Sequence, residues 1–505
     1  MALWPFYLAF IVALCYYIAR PSASLHVPTV TYSRFLPDFI NRILYYVTAP
    51  ALIHKGYEKY KDRPFRILKP NGDLIVLPAK YLEEIHRIPP KKLSPVDTEF
   101  KNMLRAYAIA TAVSDLPVQA VTKKLNVSLD RIIPGVIDEL NHAIDMEITP
   151  CKGKHYPSAD KFTDLTQPGQ WISVTLYDII LRIVSRTISR VAVGGGICRN
   201  EEYINAISSY TSNAVFTTHM LQFFPWFLRP LISRFTPLED LHEKMLWIQQ
   251  ELFVPMIQTR RFKEINQSMY IKPDDIMQWM MDLAKASFDC DTENLARGLL
   301  ELTSVKMVHT TTLLLTHALY DLIARPEYVQ PLRKEIQKTL KDGWTKVTPE
   351  ILDKQRRLDS FLRESQRLNP PREVNVHYNA RRHFNLHDGL HIPTGSHICF
   401  ATGPMAKDSS IVFDGKLFGG FRWCSDPTKR LVSIDLAGLH FGSGSEACPG
   451  RFFAANTAKL VMGRLLWDYD MKFEENQGRP ENMWEGDRIM PNPKVRILIR
   501  ERERE

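Results

Sequence analysis

The sequence predicts a mainly α-helical protein with small β-sheets and one transmembrane helix at its N-terminus. Apolar residues recur at helical spacing through most of the 505 residues. Short runs rich in β-branched residues, bounded by turn residues, occur near the two ends of the chain. Residues 3–19 are apolar and carry no charged side chain. These features predict an anchor (1–21), a membrane-proximal linker (22–50) and one large catalytic domain (51–505).

The N-terminal apolar segment has two interpretations. As a helix, residues 3–19 span about 25 Å, slightly less than the hydrocarbon core of a bilayer. A cleaved signal peptide is the alternative, since residues 22–24 form a small-residue cleavage site and Asn126 and Asn266 lie in glycosylation tripeptides. The anchor is favoured because the apolar run exceeds a typical signal core and positive charge follows it, beginning at Arg20. The prediction is a single-pass protein of the endoplasmic-reticulum membrane whose catalytic domain faces the cytosol.

Charge and cysteine content exclude several classes of protein. The net charge of +9 suits an anionic membrane or an acidic protein partner, but no cluster of lysine and arginine reaches the density typical of nucleic-acid binding. The seven cysteines are widely spaced and form no C-x-x-C pair, which argues against a zinc ribbon, a redox dithiol or a disulfide framework. We therefore expect a monomer in a reducing compartment with no nucleic-acid partner.

Start and stop signals place the elements of the domain in order. The turn at residues 70–73, PNGD, predicts a β-hairpin. Pro326 ends a long helix, because the residue before a proline resists the helical region. Residues 348–350, TPE, begin another helix with an N-cap and a proline. The glycines at 194–196 lack the context of a dinucleotide-binding loop and are interpreted as structural. The predicted helices are 51–60, 81–87, 293–324 and 359–368, with several more within 100–150 and 171–220, and the predicted strands are 65–68, 74–77, 374–378, 397–401 and 495–499.

Residues 220–235, MLQFFPWFLRPLISRF, are unusually apolar. One interpretation is ordinary core. The other is a loop between helices that dips into a membrane interface, because Pro225 and Pro230 interrupt a helix and soluble proteins avoid large exposed apolar patches. Both interpretations stay open.

The strongest chemical signal is FGSGSEACPGR, from Phe441 to Arg451, followed by an apolar helix to residue 466. Its glycines let the backbone approach a flat, bulky group. Cys448 precedes the helix, with Pro449 expected at the first helical position, so backbone N–H groups and the helix dipole stabilise a thiolate. A buried structural cysteine is the alternative. The segment resembles the haem-binding loop of the cytochrome P450 family, which implies that Cys448 is the axial ligand to iron and that Phe441, Gly442 and Arg451 help to bind haem.

One position departs from the family pattern. The family usually has His or Arg two residues before the cysteine, facing a haem propionate, whereas this chain has Glu446. A carboxylate would repel the propionate, so Arg451 or another base must take that role.

A second signal lies upstream, where Glu364 and Arg367 share a helix face at i and i+3. Alone, such a pair is usually a solvated ion pair. In this context the helix resembles the E-x-x-R helix of the P450 family, and the segment FGGFRW supplies the third member, Arg422. The resemblance implies that Glu364 pairs with both arginines and locks that loop over the haem, a structural role.

The third signal is VKMVHTTT, in the middle of the long predicted helix. His309 and Thr310 resemble the A-A-x-H-T-T of fungal P450s, which lies above the iron, whereas Lys306 and Met307 replace the expected small residues. The resemblance implies that Thr310 and His309 are catalytic, because a hydroxyl beside a group with a pKa near about 6.5 can relay protons. Lys306 shares a face with Thr310 and is expected either to bind an anionic group of the substrate or to extend into a polar pocket.

The resemblance extends from about residue 30 to the C-terminus and implies a haem-thiolate monooxygenase. The expected fold is a large helical body with haem (iron protoporphyrin IX) between the long helix and the helix after the Cys loop. Because no nucleotide- or flavin-binding motif is present, electrons must come from a partner. The resemblance implies that this partner is the NADPH–cytochrome P450 reductase that membrane-bound members of the family use. The expected substrate is a lipophilic fungal secondary metabolite, such as a terpenoid, alkaloid or polyketide. Two alternatives remain: a haem-thiolate isomerase or dehydratase, and a non-catalytic haem or lipid binder, which Lys306 and Glu446 would suit.

Overall fold

The computed structural model describes residues 27–70, 72–95, 114–148, 170–222, 224, 227–474 and 477–502, which form a mostly helical body with small sheets. The α-helices are Asp38–Lys59, Leu82–Arg87, Leu116–Ala120, Leu129–Glu147, Leu176–Val193, Glu201–Gln222, Arg229–Ile232, Leu238–Trp247, Val254–Asn266, Ile276–Leu283, Ser287–Cys290, Thr292–Glu301, His309–Ile323, Val329–Thr339, Pro349–Asp353, Arg356–Leu368, Thr402–Lys407 and Arg451–Asp468. Segments with π-helical hydrogen bonding are Val121–Leu125, Ile248–Phe253 and Leu302–Val308.

The strands are β1 (Thr29–Val30), β2 (Phe65–Ile67), β3 (Leu74–Leu77), β4 (Leu93–Ser94), β5 (Ile172–Thr175), β6 (Asn375–Ala380), β7 (Phe384–Asn385), β8 (His391–Ile392), β9 (His397–Phe400), β10 (Tyr469–Phe473), β11 (Met483–Glu485), β12 (Arg488–Met490) and β13 (Arg496–Glu501). They form a six-stranded sheet of order β1-β2-β3-β9-β6-β4, a three-stranded sheet β10-β13-β5, and two hairpins, β7-β8 and β11-β12.

The six-stranded sheet joins strands from both ends of the chain, whereas the sequence was interpreted as separate small sheets near each end. The predicted hairpin β2-β3 is present, with Phe65 opposite Val76. Every residue of β3 is buried, so the backbone groups along both of its edges need a partner strand. β2 pairs with one edge, and β9 pairs with the other edge in parallel orientation.

The helix Asp38–Lys59 begins well before the predicted start at residue 51. Pro50 lies inside it. Burial of Tyr45, Ala49 and Ile53 compensates for the hydrogen bond that the proline removes, and the Tyr45 hydroxyl donates to Asp487 over 3.0 Å. Residues 38–50 therefore pack on the helical body through this helix.

No helix among the described residues is both long and apolar enough to cross a membrane. The predicted anchor, residues 3–19, lies outside the described residues.

The long helix, residues 292–323, runs through the core with an α–π–α pattern: Thr292–Glu301, Leu302–Val308 and His309–Ile323. It packs against Leu176–Val193, Arg356–Leu368 and Arg451–Asp468. The helices that carry the E-x-x-R pair and follow the Cys loop are therefore both neighbours of the long helix.

The apolar segment 220–235 combines both of its interpretations. Leu221 and Ile232 are buried together in a small hydrophobic cluster. The side chains of Phe227 and Phe235, in contrast, are 41% and 61% exposed. The segment thus has a small core and still presents apolar side chains outward.

Candidate active site

The Cys loop, residues 441–450, closes on itself through its backbone. The N–H of Cys448 donates to the carbonyl of Phe441 over 2.7 Å. Gly442 has a φ of +80°, and a Cβ at this position would lie 2.8 Å from the carbonyl oxygen of Glu446. Only glycine fits there without strain, so this glycine serves the tight turn of the loop.

Cys448 lies at the base of the helix Arg451–Asp468, whose N-cap is Gly450. Pro449 therefore precedes the helix instead of occupying its first position, because residues 449–450 form a turn. Burial raises the pKa of the Cys448 thiol, whereas hydrogen bonds from the N–H groups of Gly450 and Arg451 and the charge of Arg451 oppose the rise. The thiol form is therefore favoured in the protein alone, and a bound metal cation would reverse this preference by stabilising the thiolate.

Asn126 supports the Cys loop from a distant part of the chain. Its amide Nδ2 donates to the carbonyl of Pro449 over 3.0 Å. Ser128, the third residue of the glycosylation tripeptide, is buried. Sequence analysis recognised Asn126 only as part of that tripeptide and missed its contact with the loop.

A short exposed strip on the long helix faces the Cys loop. Among residues 301–322, all of which are described, only Val305, Lys306 and Thr310 keep exposed surface. Lys306 lies within electrostatic range of the loop, because its positive charge acts to lower the pKa of the Cys448 thiol.

Thr310 is the most exposed residue of the strip. Its hydroxyl donates to the carbonyl of Lys306 over 2.8 Å, which leaves the oxygen lone pairs to accept hydrogen bonds from water. Thr312, two residues further on, is buried. Its hydroxyl makes the same type of bond, donating to the carbonyl of Val308 over 2.8 Å.

His309 lies away from the strip and differs from the expectation that it titrates near neutrality. Burial, followed by the positive charge of Arg488, lowers the pKa of His309 to about 3. Neither ring nitrogen has a hydrogen-bond partner among the described residues. The imidazole is therefore neutral near pH 7 and does not supply the acid expected beside Thr310.

Lys306 has a charged partner that sequence analysis missed. Its Nζ lies 3.1 Å from Oε1 of Glu301, whose side chain is only 8% exposed. Glu301 immediately precedes the π-helical segment and Lys306 lies within it, and π winding brings residues five apart onto one face. In an α-helix they would lie about 140° apart, so no α-helical pattern could have revealed the pair.

Glu364 is the centre of a buried charge network. Its two oxygens accept hydrogen bonds from Arg367 (2.7 and 2.8 Å), from Nε of Arg422 (3.1 Å) and from the backbone N–H of Gly419 (2.9 Å). The indole of Trp423 also donates to Glu364 over 2.9 Å. Burial alone would raise the pKa of Glu364, but the bonds and charge of Arg367 hold it below its usual range.

The geometry thus brings both predicted arginines to Glu364 and adds Trp423, which sequence analysis did not single out although it follows Arg422 directly. Arg367 also donates to the carbonyl of Ala406 over 2.7 Å. The network therefore ties the helix Arg356–Leu368 to the loop that precedes the Cys loop, as the structural role requires.

Glu446 occupies the position where the family usually has His or Arg, and its side chain is exposed. Burial, followed by the negative charge of Glu446, raises the pKa of Tyr378 to about 12. The Arg451 guanidinium donates to the carbonyl of Cys448 over 2.8 Å, and its Nε has no partner among the described residues. Arg451 is thus held against the loop, and its Nε–H remains available as a hydrogen-bond donor.

Comparisons with known proteins agree with this arrangement. The family model described as Cytochrome P450 matches residues 158–499. The chain belongs to the cytochrome P450 family. It is 39% identical to cytochrome P450 monooxygenase paxP of Penicillium paxilli, covering 98% of this chain and 94% of the relative. It is 38% identical both to janP of Penicillium janthinellum (99% and 95% covered) and to AtmP of Aspergillus flavus (95% and 90% covered).

This P450 is therefore a monooxygenase, an oxidoreductase whose cofactor is haem. The residues present fit that cofactor: Cys448 offers a sulfur ligand, the backbone at Gly442 leaves no space for a Cβ, and Lys306 of the exposed strip lies within electrostatic range of the sulfur. Its fold is the mainly helical P450 fold that the sequence predicted.

Proposed function

We propose that this P450 hydroxylates or otherwise oxidises a lipophilic small molecule of fungal secondary metabolism, a terpenoid, alkaloid or polyketide. It would use O2 and electrons from an NADPH–cytochrome P450 reductase. The observation that carries the proposal is the position of Cys448 opposite the exposed strip of the long helix. The fungal origin of the relatives supports the substrate class.

Cys448 would hold the haem, which would supply the activation of dioxygen. The protein's own contribution is to hold the sulfur, to exclude bulk water and to deliver protons. Amide donors from Gly450 and Arg451 temper the charge of the sulfur. The Thr310 hydroxyl is the only described hydroxyl of the strip and can pass protons through water.

The direct test of the proposal is whether product formation depends on the partner reductase and on oxygen. Membranes that contain the P450 and the reductase, incubated with an extract of lipophilic fungal metabolites, should form a product only when NADPH and oxygen are both present. Comparison of metabolites from strains with and without the gene identifies the substrate. Product formation without reductase would support the isomerase or dehydratase instead.

Thr310→Ala should uncouple electron use from product formation. Without the hydroxyl, the strip no longer holds a group that can pass protons into the site, so we expect NADPH consumption to persist while peroxide rises and product per NADPH falls about 10-fold or more. Thr312→Ala is the matched control, because it removes the same backbone hydrogen bond from a buried position. Equal coupling in the two variants would remove Thr310 from proton delivery.

The same proposal includes the membrane. Residues 3–19 would anchor the chain, and the exposed Phe227 and Phe235 would enter the membrane interface. Phe35, exposed by 98% near the start of the described chain, would do the same. A positive net charge of +9 suits both an anionic membrane surface and an acidic docking surface on the reductase.

Protease added to intact microsomes should digest the catalytic domain, because that domain faces the cytosol. Asn266 is exposed and serves as the glycosylation reporter, whereas the Asn126 amide is engaged by the Cys loop. Full protection from protease, or a glycan at Asn266, would show that the domain faces the lumen.

A further inference from the structure

We propose that Lys306, Glu301 and Tyr210 form a recognition site for a neutral oxygen group, a hydroxyl or carbonyl, on an otherwise lipophilic substrate. This inference rests on the proposed function and specifies the substrate class further. It replaces the expectation that Lys306 binds a carboxylate.

The first argument is the charge balance of the Lys306–Glu301 pair. The ammonium lies 3.1 Å from the carboxylate and keeps 36% of its side chain exposed on the strip that faces Cys448. A substrate carboxylate at this ammonium would also face the negative charge of Glu301, at a cost in a low-dielectric cavity. A hydroxyl or carbonyl oxygen accepts a hydrogen bond there without that repulsion.

The second argument is a buried hydroxyl beside the pair. Tyr210, on the helix Glu201–Gln222, is 1% exposed, and its hydroxyl has no hydrogen-bond partner among the described residues. It lies within electrostatic range of Glu301, whose charge adds to burial in raising the pKa of Tyr210. An unsatisfied buried hydroxyl is costly, so a ligand oxygen that accepts from it would be stabilising.

The third argument is local backbone structure. Glu301 caps the π-helical segment Leu302–Val308 and Lys306 lies within it, and π-helical insertions occur frequently at functional sites. The helix Glu201–Gln222 packs against this segment, which places Tyr210 and the pair on facing elements. Two donors on different helices give a ligand oxygen directional contacts.

Spectral titration of the haem-loaded protein with dodecanol and dodecanoate tests the inference, because these probes differ only in the terminal group. The wild type should prefer the alcohol. Glu301→Gln removes the negative charge 3.1 Å from the ammonium, so the affinity ratio should move towards dodecanoate by about 10-fold or more. Lys306→Met should weaken dodecanol binding without favouring dodecanoate, and Tyr210→Phe should weaken dodecanol binding severalfold.

Asp240→Asn is the control, since Asp240 pairs with Lys244 over 2.9 Å in an exposed ion pair. It should leave the ratio unchanged. An unchanged ratio in Glu301→Gln, including failure of both probes to bind, overturns the recognition site. Absence of a thiolate-type spectrum in the wild type would contradict the proposed function itself.

Discussion

Glu364→Ala is expected to abolish accumulation of the haem-loaded protein. The substitution leaves the guanidinium of Arg367, which is fully buried, without its carboxylate, and it also removes the acceptor for Arg422. Breaking a buried pair in this way costs about 3–5 kcal/mol, a large part of the stability of a typical domain. The measurement is haem content per protein, with thermal unfolding of whatever protein remains.

Two further variants separate charge from packing. Glu364→Gln keeps a side chain of the same size with a hydrogen-bond acceptor but loses the negative charge. Its haem content should therefore fall between that of the wild type and that of Glu364→Ala. Asp240→Ala breaks an exposed ion pair and should leave haem content unchanged, because surface pairs contribute little. Wild-type haem content in Glu364→Ala would show that the network is not needed to hold the Cys loop.

Cys448→Ser should remove the spectral signature of the thiolate completely. A serine hydroxyl is not ionised near neutral pH and does not donate electron density as a thiolate does. The reduced, carbon-monoxide-bound wild type should show the red-shifted Soret band, and the variant should not. Cys290→Ser, at an exposed cysteine, should keep the band. Persistence of the band in Cys448→Ser would assign the axial ligand to another residue.

Sequence patterns predicted the parts of the site that depend on local motifs. The Cys loop, the E-x-x-R pair and the long helix each carry residues at short, regular spacing, and their order along the chain was enough to identify the family. The helices after Thr348 and before Pro326 also lie where their caps and stops predicted.

Contacts that depend on tertiary structure were not predictable in the same way. His309 was predicted to be an acid–base group because it lies beside Thr310 in a segment that resembles a family motif, but burial, which sequence does not report, keeps the imidazole neutral. The partner of Lys306 was missed because Glu301 reaches it only through π winding. Asn126 was missed because its contact with Pro449 has no local sequence signal.

That contact of Asn126 also bears on how the protein is made. It joins residues 323 positions apart, and the Tyr45–Asp487 contact joins residues 442 positions apart. A ribosome that adds about 5–20 residues per second needs tens of seconds between the two halves of either contact. The Cys loop therefore reaches its final support only when nearly the whole chain has emerged. We therefore expect haem capture to be a late event, and until then the apolar residues that the finished fold buries stay exposed to aggregation.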